Sequence, residues 1–357
     1  MKRCTKCILP DTIPYISFDE QGACNYCNEH RTLDQVEYDP IRCDRLLEQA
    51  TQARIQNGSK YDVLVPVSGG RDSSFIALDL AKTRGLKVLC VNYDNPYSSV
   101  QVKQNLRNLV NAIGAELETF TYPYKRHEKS FENNFRAWLK KPDLAAMGLL
   151  CLACKPMYLE FFRIARKHKI SLIMDGSNPN EVASFKMEAH SGGEGKNIFS
   201  LGTIAKMGKK ALDNLGYIKP CNVTPLVATM MSLNGNTPYL KYRYRGIEKH
   251  GYFYLNPYDE KKIMAALKEV GWEKAKDNNS PWRFDCEIDS LKNVLFKKLI
   301  GVTEKDDLFS KNIRTGQMTR EEAMARLDEG DVNPEVVERV LRMIGLTPAD
   351  IDHIGQY

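Results

Sequence analysis

Residues 61–74 read YDVLVPVSGGRDSS. The first seven form a short apolar run rich in β-branched residues, which is typical of a strand buried on both faces of a parallel sheet. Gly69 and Gly70 then allow the backbone to turn so that its N–H groups face a bound anion. Residues 75–82 continue as a predicted helix, whose N-terminal amides favour phosphate. This order of strand, glycine turn and helix predicts a pyrophosphate-binding loop in a doubly wound, mostly parallel α/β fold.

The run S-G-G-x-D-S after an apolar strand resembles the PP-loop of the ATP pyrophosphatases, which share the adenine-nucleotide α-hydrolase-like fold and cleave ATP to AMP and pyrophosphate. The spacing differs from the G-x-x-x-x-G-K-[ST] of a Walker loop, which argues against ordinary γ-phosphate transfer. The resemblance puts Arg71 at the variable position and gives Asp72 and Ser73 catalytic roles. It implies that ATP is bound by Ser68, Gly69, Gly70, Asp72, Ser73 and Ser74.

Two later segments are predicted strands that end in small or acidic residues. Residues 87–92 lead to Asp94, and residues 171–174 lead to Asp175 and Gly176. Because ligands of doubly wound sheets bind beyond the carboxyl ends of the strands, these residues are predicted to complete the nucleotide site. Asp94 could then meet adenosine or a metal ion. Ordinary connections between strands and helices are the alternative.

Composition excludes several classes of protein. The 357 residues are 43% hydrophobic and 27% charged, which is ordinary for a folded domain protein. No apolar run is long enough to span a membrane and no signal region follows Met1, so we expect a cytoplasmic protein without a membrane partner. The net charge of +6 is dispersed, which makes nucleic acid an unlikely partner. Two basic patches, Lys206 with Lys209 and Lys210, and residues 241–245, are either solvated faces or an anionic substrate pocket.

Four of the ten cysteines form two C-x-x-C pairs near the N-terminus. Cys4 and Cys7 are separated by sixteen residues from Cys24 and Cys27, which matches the two knuckles of a zinc ribbon. Such a short segment needs a metal to hold it, since it lacks a core of its own. Four thiolates close the coordination shell, so this zinc is predicted to be structural.

A second group is Cys151, Cys154 and the distant Cys221. It resembles the cysteine set of PP-loop tRNA thiolation enzymes, which implies a [4Fe–4S] cluster. Two alternatives stay open, a second zinc ion and a buried, inert C-x-x-C. The remaining cysteines, Cys43, Cys90 and Cys286, are predicted to serve packing alone.

The whole arrangement resembles the N-acetyl sugar amidotransferases of bacterial surface-polysaccharide pathways, including O-antigen and pseudaminic or legionaminic acid synthesis. The resemblance rests on the zinc ribbon, the loop, Asp175 with Gly176, and the late run of residues 313–323. Within that run, Thr319 and Glu322 also form a predicted capping box at a helix start. The predicted divisions are a zinc-ribbon segment at 1–45, a PP-loop domain at 46–250 and a C-terminal helical region at 251–357.

The resemblance implies an ATP- and Mg²⁺-dependent conversion of an acetamido group to an acetamidino group on a nucleotide-linked N-acetyl sugar. Lys155 is expected to supply a further positive charge. The six histidines show no glutaminase pattern, so ammonia is expected from a separate class-I glutaminase subunit, and a cyclase-like ammonia-channelling subunit is a further expected partner. Two other functions remain open, a PP-loop tRNA thiolase with an iron–sulfur cluster and a non-catalytic nucleotide-binding module.

Overall fold

The computed structural model describes residues 1–28, 37–179, 209, 212–275, 285–328 and 333–355. Its central layer is a five-stranded sheet in the order β3-β2-β1-β4-β5, and every strand pair is parallel. The strands are β1 Val63–Pro66, β2 Val88–Tyr93, β3 Glu116–Phe120, β4 Leu172–Asp175 and β5 Glu248–Gly251. The predicted parallel α/β fold is confirmed.

Strand β1 lies in the middle of the sheet, and the chain changes direction around it. β2 and β3 are added on one side, with Val65 opposite Cys90, and β4 is added on the other side, with Leu64 opposite Ile173. The sheet therefore has its topological switch point at the carboxyl end of β1, where a doubly wound fold binds its ligand.

The predicted strands coincide with β1, β2 and β4, whereas β3 and β5 escaped the sequence analysis. β3 begins at the exposed Glu116, and β5 consists of Glu248, Lys249, His250 and Gly251. Neither strand carries the apolar run that identifies a buried strand. Both lie at the edges of the sheet, where a strand pairs with only one neighbour.

Helices cover both faces of the sheet and form a separate helical layer at the C-terminal end. On the described residues they are α1 Asn25–Asn28, α2 Pro40–Asn57, α3 Arg71–Leu78, α4 Val100–Ile113, α5 Arg126–Lys140, α6 Met147–Leu150, α7 Met157–Lys167, α8 Pro220–Ser232, α9 Pro238–Arg243, α10 Glu260–Glu269, α11 Ile288–Ile300, α12 Glu304–Arg314, α13 Arg320–Asp328 and α14 Pro334–Met343. The predicted helix after the loop is α3, continued by one π-helical turn over Asp79–Thr83.

The N-terminal segment packs into the helical layer. One apolar core joins its residues Cys4 and Leu9 to Phe135 and Trp138 of α5 and to Phe296 of α11. Two other cores fill the two faces of the sheet. The predicted C-terminal helical region is therefore present, and it shares its core with the segment at the opposite end of the chain.

The predicted capping box at the start of α13 is confirmed. The Thr319 amide donates to Glu322 Oε2 at 2.8 Å, and the Glu322 amide donates to Thr319 Oγ1 at 3.1 Å. Among the helices of the described residues, none combines the length and apolar character that crossing a membrane requires. Of the basic patch at Lys206, Lys209 and Lys210, Lys206 and Lys210 lie outside the described residues, and Lys209 is exposed.

Candidate nucleotide site and cysteine clusters

The loop between β1 and α3 is a compact turn closed by serine hydroxyls. The Ser68 amide donates to Ser73 Oγ and the Gly70 amide donates to Ser68 Oγ, both at 3.2 Å. The two hydroxyl oxygens are also 3.2 Å apart. Gly70 is the N-cap of α3, so no side chain caps the N-terminus of this helix. An incoming phosphate could accept from these same donors, since helix N-termini and turn amides favour anions.

Gly69 is required by the shape of the turn. Its φ is +80°, a left-handed conformation that side chains rarely adopt. A Cβ at this position would lie 2.3 Å from the Val102 carbonyl oxygen of α4. The Gly69 carbonyl in turn accepts a hydrogen bond from the Trp272 indole at 3.0 Å. The loop is therefore held from outside by two segments that come later in the chain.

Asp72 is the described carboxylate at the first turn of α3. Arg71 Nε donates to Asp72 Oδ1 at 2.8 Å, and Arg71 Nη1 donates to Glu260 Oε1 at 2.9 Å. Asn178 Nδ2 donates to Asp72 Oδ2 at 3.3 Å and the Tyr258 hydroxyl donates to Asp72 Oδ1 at 3.4 Å. These contacts fix the orientation of the carboxylate.

Arg71, which the sequence analysis left as the variable position of the loop, is only 5% exposed. Burial opposes its charge, but the neighbouring carboxylates of Asp72 and Glu260 more than offset that effect and raise the pKa of Arg71. Glu260 Oε2 also lies 3.4 Å from Arg326 Nη1 of α13. An ion-pair chain thus joins the phosphate loop to the C-terminal helices.

The residues predicted at the ends of β4 and β2 differ in their burial and in their distance from the loop. A Cβ on Gly176 would lie 3.2 Å from the Ser73 amide, so this glycine lets β4 approach the loop closely. Asp175 is buried and its Oδ2 pairs with Lys249 Nζ of β5 at 2.8 Å. Asp94 is about half exposed, with its side chain paired to Lys103 Nζ at 2.9 Å. Asp175 is therefore an internal ion-pair partner, whereas Asp94 faces solvent.

Two further predicted site residues occupy unexpected surroundings. Ser74 is fully buried, and its hydroxyl finds no hydrogen-bond partner among the described residues. Lys155 is exposed and follows the turn Leu152–Cys154. Its positive charge acts on the adjacent thiol of Cys154. The predicted contacts of both residues with ATP stay predictions.

The four N-terminal cysteines converge. Their sulfur atoms all lie within 4.8 Å of one another, with Cys7 and Cys24 3.7 Å apart and Cys4 and Cys27 3.9 Å apart. The Cys7 and Cys24 amides donate to Cys4 Sγ at 3.4 and 3.2 Å. A tetrahedral ion with metal–sulfur bonds of about 2.3 Å needs sulfurs spaced about this far apart. The donor set therefore fits a single thiolate-bound metal ion.

The hydrogen bonds among these thiols shift their pKa values in opposite directions. Hydrogen bonds from Cys24 and Cys27 lower the pKa of the Cys7 thiol. Hydrogen bonds to Cys24 and Cys7 instead raise the pKa of the Cys27 thiol. A bound cation would stabilise all four thiolates, because it replaces these protons.

The ribbon rests on the C-terminal helices. Arg320 Nε donates to the Cys7 carbonyl at 3.1 Å, and Arg320 Nη2 donates to the Cys4 carbonyl at 3.4 Å. Arg3 Nη1 pairs with Asp306 Oδ1 of α12 at 2.7 Å. Arg320, which belongs to the late run of residues 313–323, is therefore bonded to the ribbon backbone.

The second predicted cysteine group, Cys151, Cys154 and Cys221, lies within the described residues, and its binding of a metal stays a prediction. Cys151 and Cys154 flank the turn before α7, and the charges of Cys151 and Cys286 act on Cys154. Cys221 Sγ lies 3.9 Å from the Lys129 carbonyl. Cys286, predicted to serve packing alone, is half-buried, and burial raises the pKa of its thiol to about 12.

Two family matches divide the chain. Residues 58–190 match the family described as Thiamine biosynthesis protein (ThiI), and residues 291–356 match LPS biosynthesis protein WbpG-like, C-terminal domain. The chain joins a PP-loop domain to a WbpG-like C-terminal domain. The matches support an ATP-utilising PP-loop enzyme with a role in lipopolysaccharide biosynthesis. These two regions contain the PP-loop and the late run of residues 313–323, on which the sequence-based resemblance rested.

Solved structures give distant likenesses only. NMN synthetase from Francisella tularensis is 11% identical, with 87% of this chain and 98% of that chain covered and a TM-score of 0.38. The U34-tRNA thiolase NcsA from Methanococcus maripaludis with its [4Fe–4S] cluster is 16% identical, with 89% and 86% covered and a TM-score of 0.36. The search of curated proteins found no match for this chain.

Proposed function

We propose that this protein is an ATP-dependent amidotransferase that converts the acetamido group of a nucleotide-linked N-acetyl sugar to an acetamidino group. The observation that carries the proposal is the contact between the phosphate loop and the WbpG-like region. Arg326 of that region contacts Glu260, and Glu260 pairs with Arg71 of the loop. Lys311 Nζ of the same region donates to the Pro179 carbonyl at 2.8 Å, next to the Asn178 that contacts Asp72.

The reaction needs ATP because an amide is a poor electrophile. The amide oxygen attacks the α-phosphorus of ATP, and the bond to pyrophosphate breaks. The product is an O-adenylyl imidate, whose carbon is then attacked by ammonia. AMP leaves with the former amide oxygen, and after loss of protons the sugar carries an acetamidino group. Each bond made is matched by one broken, and the overall products are AMP and pyrophosphate.

The loop supplies electrostatic stabilisation for the first step. The amides and hydroxyls of Ser68, Gly70 and Ser73 are gathered at one turn and can donate to the departing pyrophosphate. Donors fixed before the reaction stabilise developing charge without reorganisation. Magnesium bound to ATP would neutralise phosphate charge, and Asp72 is the loop carboxylate that could hold it.

Ammonia and the N-terminal metal complete the proposal. Free ammonia is mostly protonated near neutral pH, so we propose delivery from a separate class-I glutaminase subunit through a cyclase-like channelling subunit. Zinc is the proposed ion of the N-terminal cluster, because four convergent thiolates suit it and leave no open position for catalysis. The ribbon would then have a structural role or present a surface to such a partner.

A tRNA thiolase is the second candidate, and one observation favours it. Cys286 lies near the loop, because a Cβ on Gly70 would lie 3.6 Å from Cβ of the neighbouring Asp285, and the turn that carries Cys154 contacts the helix that carries Cys221. A sulfur-transfer enzyme would use such thiols, whereas amidination has no need of them. The two reactions share the activation by ATP and differ in the nucleophile.

The test incubates the protein with ATP, Mg²⁺, ammonium chloride and a panel of nucleotide-linked N-acetyl sugars. We expect sugar-dependent release of AMP and pyrophosphate, and a product whose mass corresponds to replacement of oxygen by an NH group. Asp72→Asn should lower the rate by about 10²-fold or more, since it removes the fixed charge at the loop. The half-exposed Asp94, which pairs with Lys103, gives a control, and Asp94→Asn should have a smaller effect.

Two outcomes contradict the proposal. Formation of ADP in place of AMP would show that the α-phosphorus is not attacked. Thiolation of tRNA in the presence of a sulfur donor, without any change in the sugars, would instead support the second candidate.

A further inference from the structure

Two helices of the C-terminal region, α11 and α12, carry many buried charges. Lysine, aspartate and glutamate are rarely buried unless they are paired, because removing a charge from water is costly. The charged residues of these helices that are no more than 8% exposed are Asp289, Lys292, Glu304, Lys305, Asp306, Asp307 and Lys311. Packing alone does not require charges at these positions.

One face of α12 has a structural partner. Asp306 Oδ1 pairs with Arg3 Nη1 at 2.7 Å, and Ser310 Oγ accepts a hydrogen bond from the Ile8 amide at 3.3 Å. Asp306 and Ser310 are four positions apart, so they lie on the same face of the helix. The polar groups of this face are therefore explained by contacts with the N-terminal segment.

Another face of α12 reaches the nucleotide site. Glu304 and Lys311 are seven positions apart, or about two helical turns, and so share this face. Lys311 Nζ donates to the Pro179 carbonyl at 2.8 Å, and the neighbouring Asn178 contacts Asp72 of the phosphate loop. The face that carries Glu304 is therefore connected to the loop.

Lys292 of α11 lies between two carboxylates. Its Nζ is 3.6 Å from Asp289 Oδ1 and 3.7 Å from Glu304 Oε1. Both distances are longer than the about 2.7–3.2 Å of an N–H···O hydrogen bond. Within the described residues the Lys292 ammonium makes no hydrogen bond, although its side chain is only 10% exposed. A buried cation therefore keeps donors that these carboxylates do not use.

The hydroxyl groups of a sugar suit this arrangement. A hydroxyl oxygen can accept from the Lys292 ammonium while its hydrogen is donated to Asp289 or Glu304. Asn293 fixes the two carboxylates, because its Nδ2 donates to Asp289 Oδ2 at 3.3 Å and its Oδ1 accepts from the Glu304 amide at 3.4 Å. The donor and the acceptors are therefore already in place before a ligand binds.

The start of α11 also borders the nucleotide site. A Cβ on Gly70 would lie 3.6 Å from Asp285 Cβ. The Glu287 amide donates to the Tyr97 carbonyl, which follows β2, at 2.8 Å. Asp289 comes two residues later, in the first turn of α11. Both helices that carry the three charged residues are thus fixed to the carboxyl end of the sheet.

We propose that Asp289, Lys292 and Glu304 bind the ring hydroxyls of the sugar whose acetamido group is activated. This inference rests on the proposed sugar substrate and names the residues that recognise it. The carboxylates accept from the hydroxyls and the ammonium donates to them. ATP stays with the phosphate loop, which is connected to both helices.

The first experiment measures hydrogen exchange in the full chain with each member of a panel of nucleotide-linked N-acetyl sugars, and with the matching nucleoside diphosphates. We expect a sugar nucleotide to slow exchange in α11 and α12. The nucleoside diphosphate should leave both helices unchanged, because it lacks the ring hydroxyls. Equal protection by the diphosphate, protection confined to other segments, or binding of no member of the panel would overturn the proposal.

Glu304→Gln and Asp306→Asn form a matched pair of variants, since both carboxylates are buried in α12 but lie on different faces. Titration calorimetry should give a Kd for the sugar nucleotide about 10-fold or more higher in Glu304→Gln, because a hydrogen bond to a charged group is lost. The Kd for ATP should not change. Asp306→Asn should lower the melting temperature and leave the affinity for the sugar as it is.

These measurements separate the sugar site from the amidination. A sugar nucleotide that binds and protects α11 and α12 without release of AMP would contradict amidination, and the sugar site would stand. Sugar-dependent release of AMP, with the same affinity for the sugar in Glu304→Gln as in the wild-type protein, would support amidination and overturn this assignment.

Discussion

The N-terminal cysteine cluster and the phosphate loop are both short sequence motifs, yet they are held in opposite ways. The cluster contains its own ligands within residues 4–27 and closes them within 4.8 Å. The loop depends on groups from elsewhere in the chain, among them the Val102 carbonyl and the side chains of Trp272 and Tyr258. The residues of the phosphate loop are therefore contiguous in sequence, but their structure depends on residues from other parts of the chain.

This difference predicts which other segments are affected by a substitution in each motif. Loss of the cluster should release the contacts that the ribbon makes with the C-terminal helices, because those contacts use its backbone carbonyls. Loss of an outside support should alter the loop while leaving the rest of the sheet in place. The following three predictions test the comparison in order of decreasing effect on the free energy of unfolding.

The largest effect is expected from Cys7→Ser, which removes one thiolate of the N-terminal cluster. Since a structural zinc ion contributes about 10 kcal/mol or more to folding of small zinc domains, we expect a loss of more than about 4 kcal/mol and of bound zinc. Hydrogen exchange should rise in residues 1–28 and in α12 and α13, where Arg320 and Asp306 contact the ribbon.

Cys43→Ser is the matched control for that variant, because Cys43 is also fully buried but lies in the core beside the sheet. It should retain zinc and leave α12 and α13 protected from exchange. Equal zinc content in the two variants would contradict the assignment of the N-terminal cluster as a metal site.

Gly69→Ala should have the next largest effect. The new Cβ combines an unfavourable φ of +80° with a separation of 2.3 Å from the Val102 carbonyl. We expect a loss of about 3 kcal/mol, measured by urea unfolding, and no detectable ATP cleavage. Gly85→Ala isolates the backbone contribution, since Gly85 has a φ of +67° and nothing within 4 Å of the added Cβ.

Gly85→Ala is expected to cost about 1 kcal/mol and to leave ATP cleavage unchanged. If the two variants were equally stable and equally active, the close approach of α4 to the loop would have no importance for the site.

The sequence allowed prediction of those features whose residues are close together along the chain. The C-x-x-C pairs and the serine–glycine run are contiguous, and the elements β1, β2 and β4 carry apolar runs, so all of them could be predicted. Lys249 in β5 contacts Asp175 from a strand without apolar residues, which gives no signal. Arg71 likewise pairs with Glu260, which lies 189 residues later in the chain. Such contacts are determined by the packing of distant segments, so the sequence alone did not predict them.

Two buried tryptophans allow us to test whether a single hydrogen bond from outside the loop supports its structure. Trp272 Nε1 donates to the Gly69 carbonyl at 3.0 Å, and Trp138 Nε1 donates to the Asp143 carbonyl at 2.9 Å. Both side chains are buried, so Trp→Phe removes a similar hydrogen bond and a similar volume at each position. We expect each variant to lose about 1–3 kcal/mol of unfolding free energy.

The two variants should differ in the binding of ATP. Trp272→Phe releases the Gly69 carbonyl, so we expect the Kd for ATP to rise several-fold. Trp138→Phe perturbs the helical core around α5 and should leave that Kd unchanged. Isotherms of ATP binding to both proteins, at a temperature where each is fully folded, separate a local support of the loop from general loss of stability. Equal affinities would mean that the loop keeps its shape through its own serine hydrogen bonds, as the N-terminal cluster does through its sulfurs.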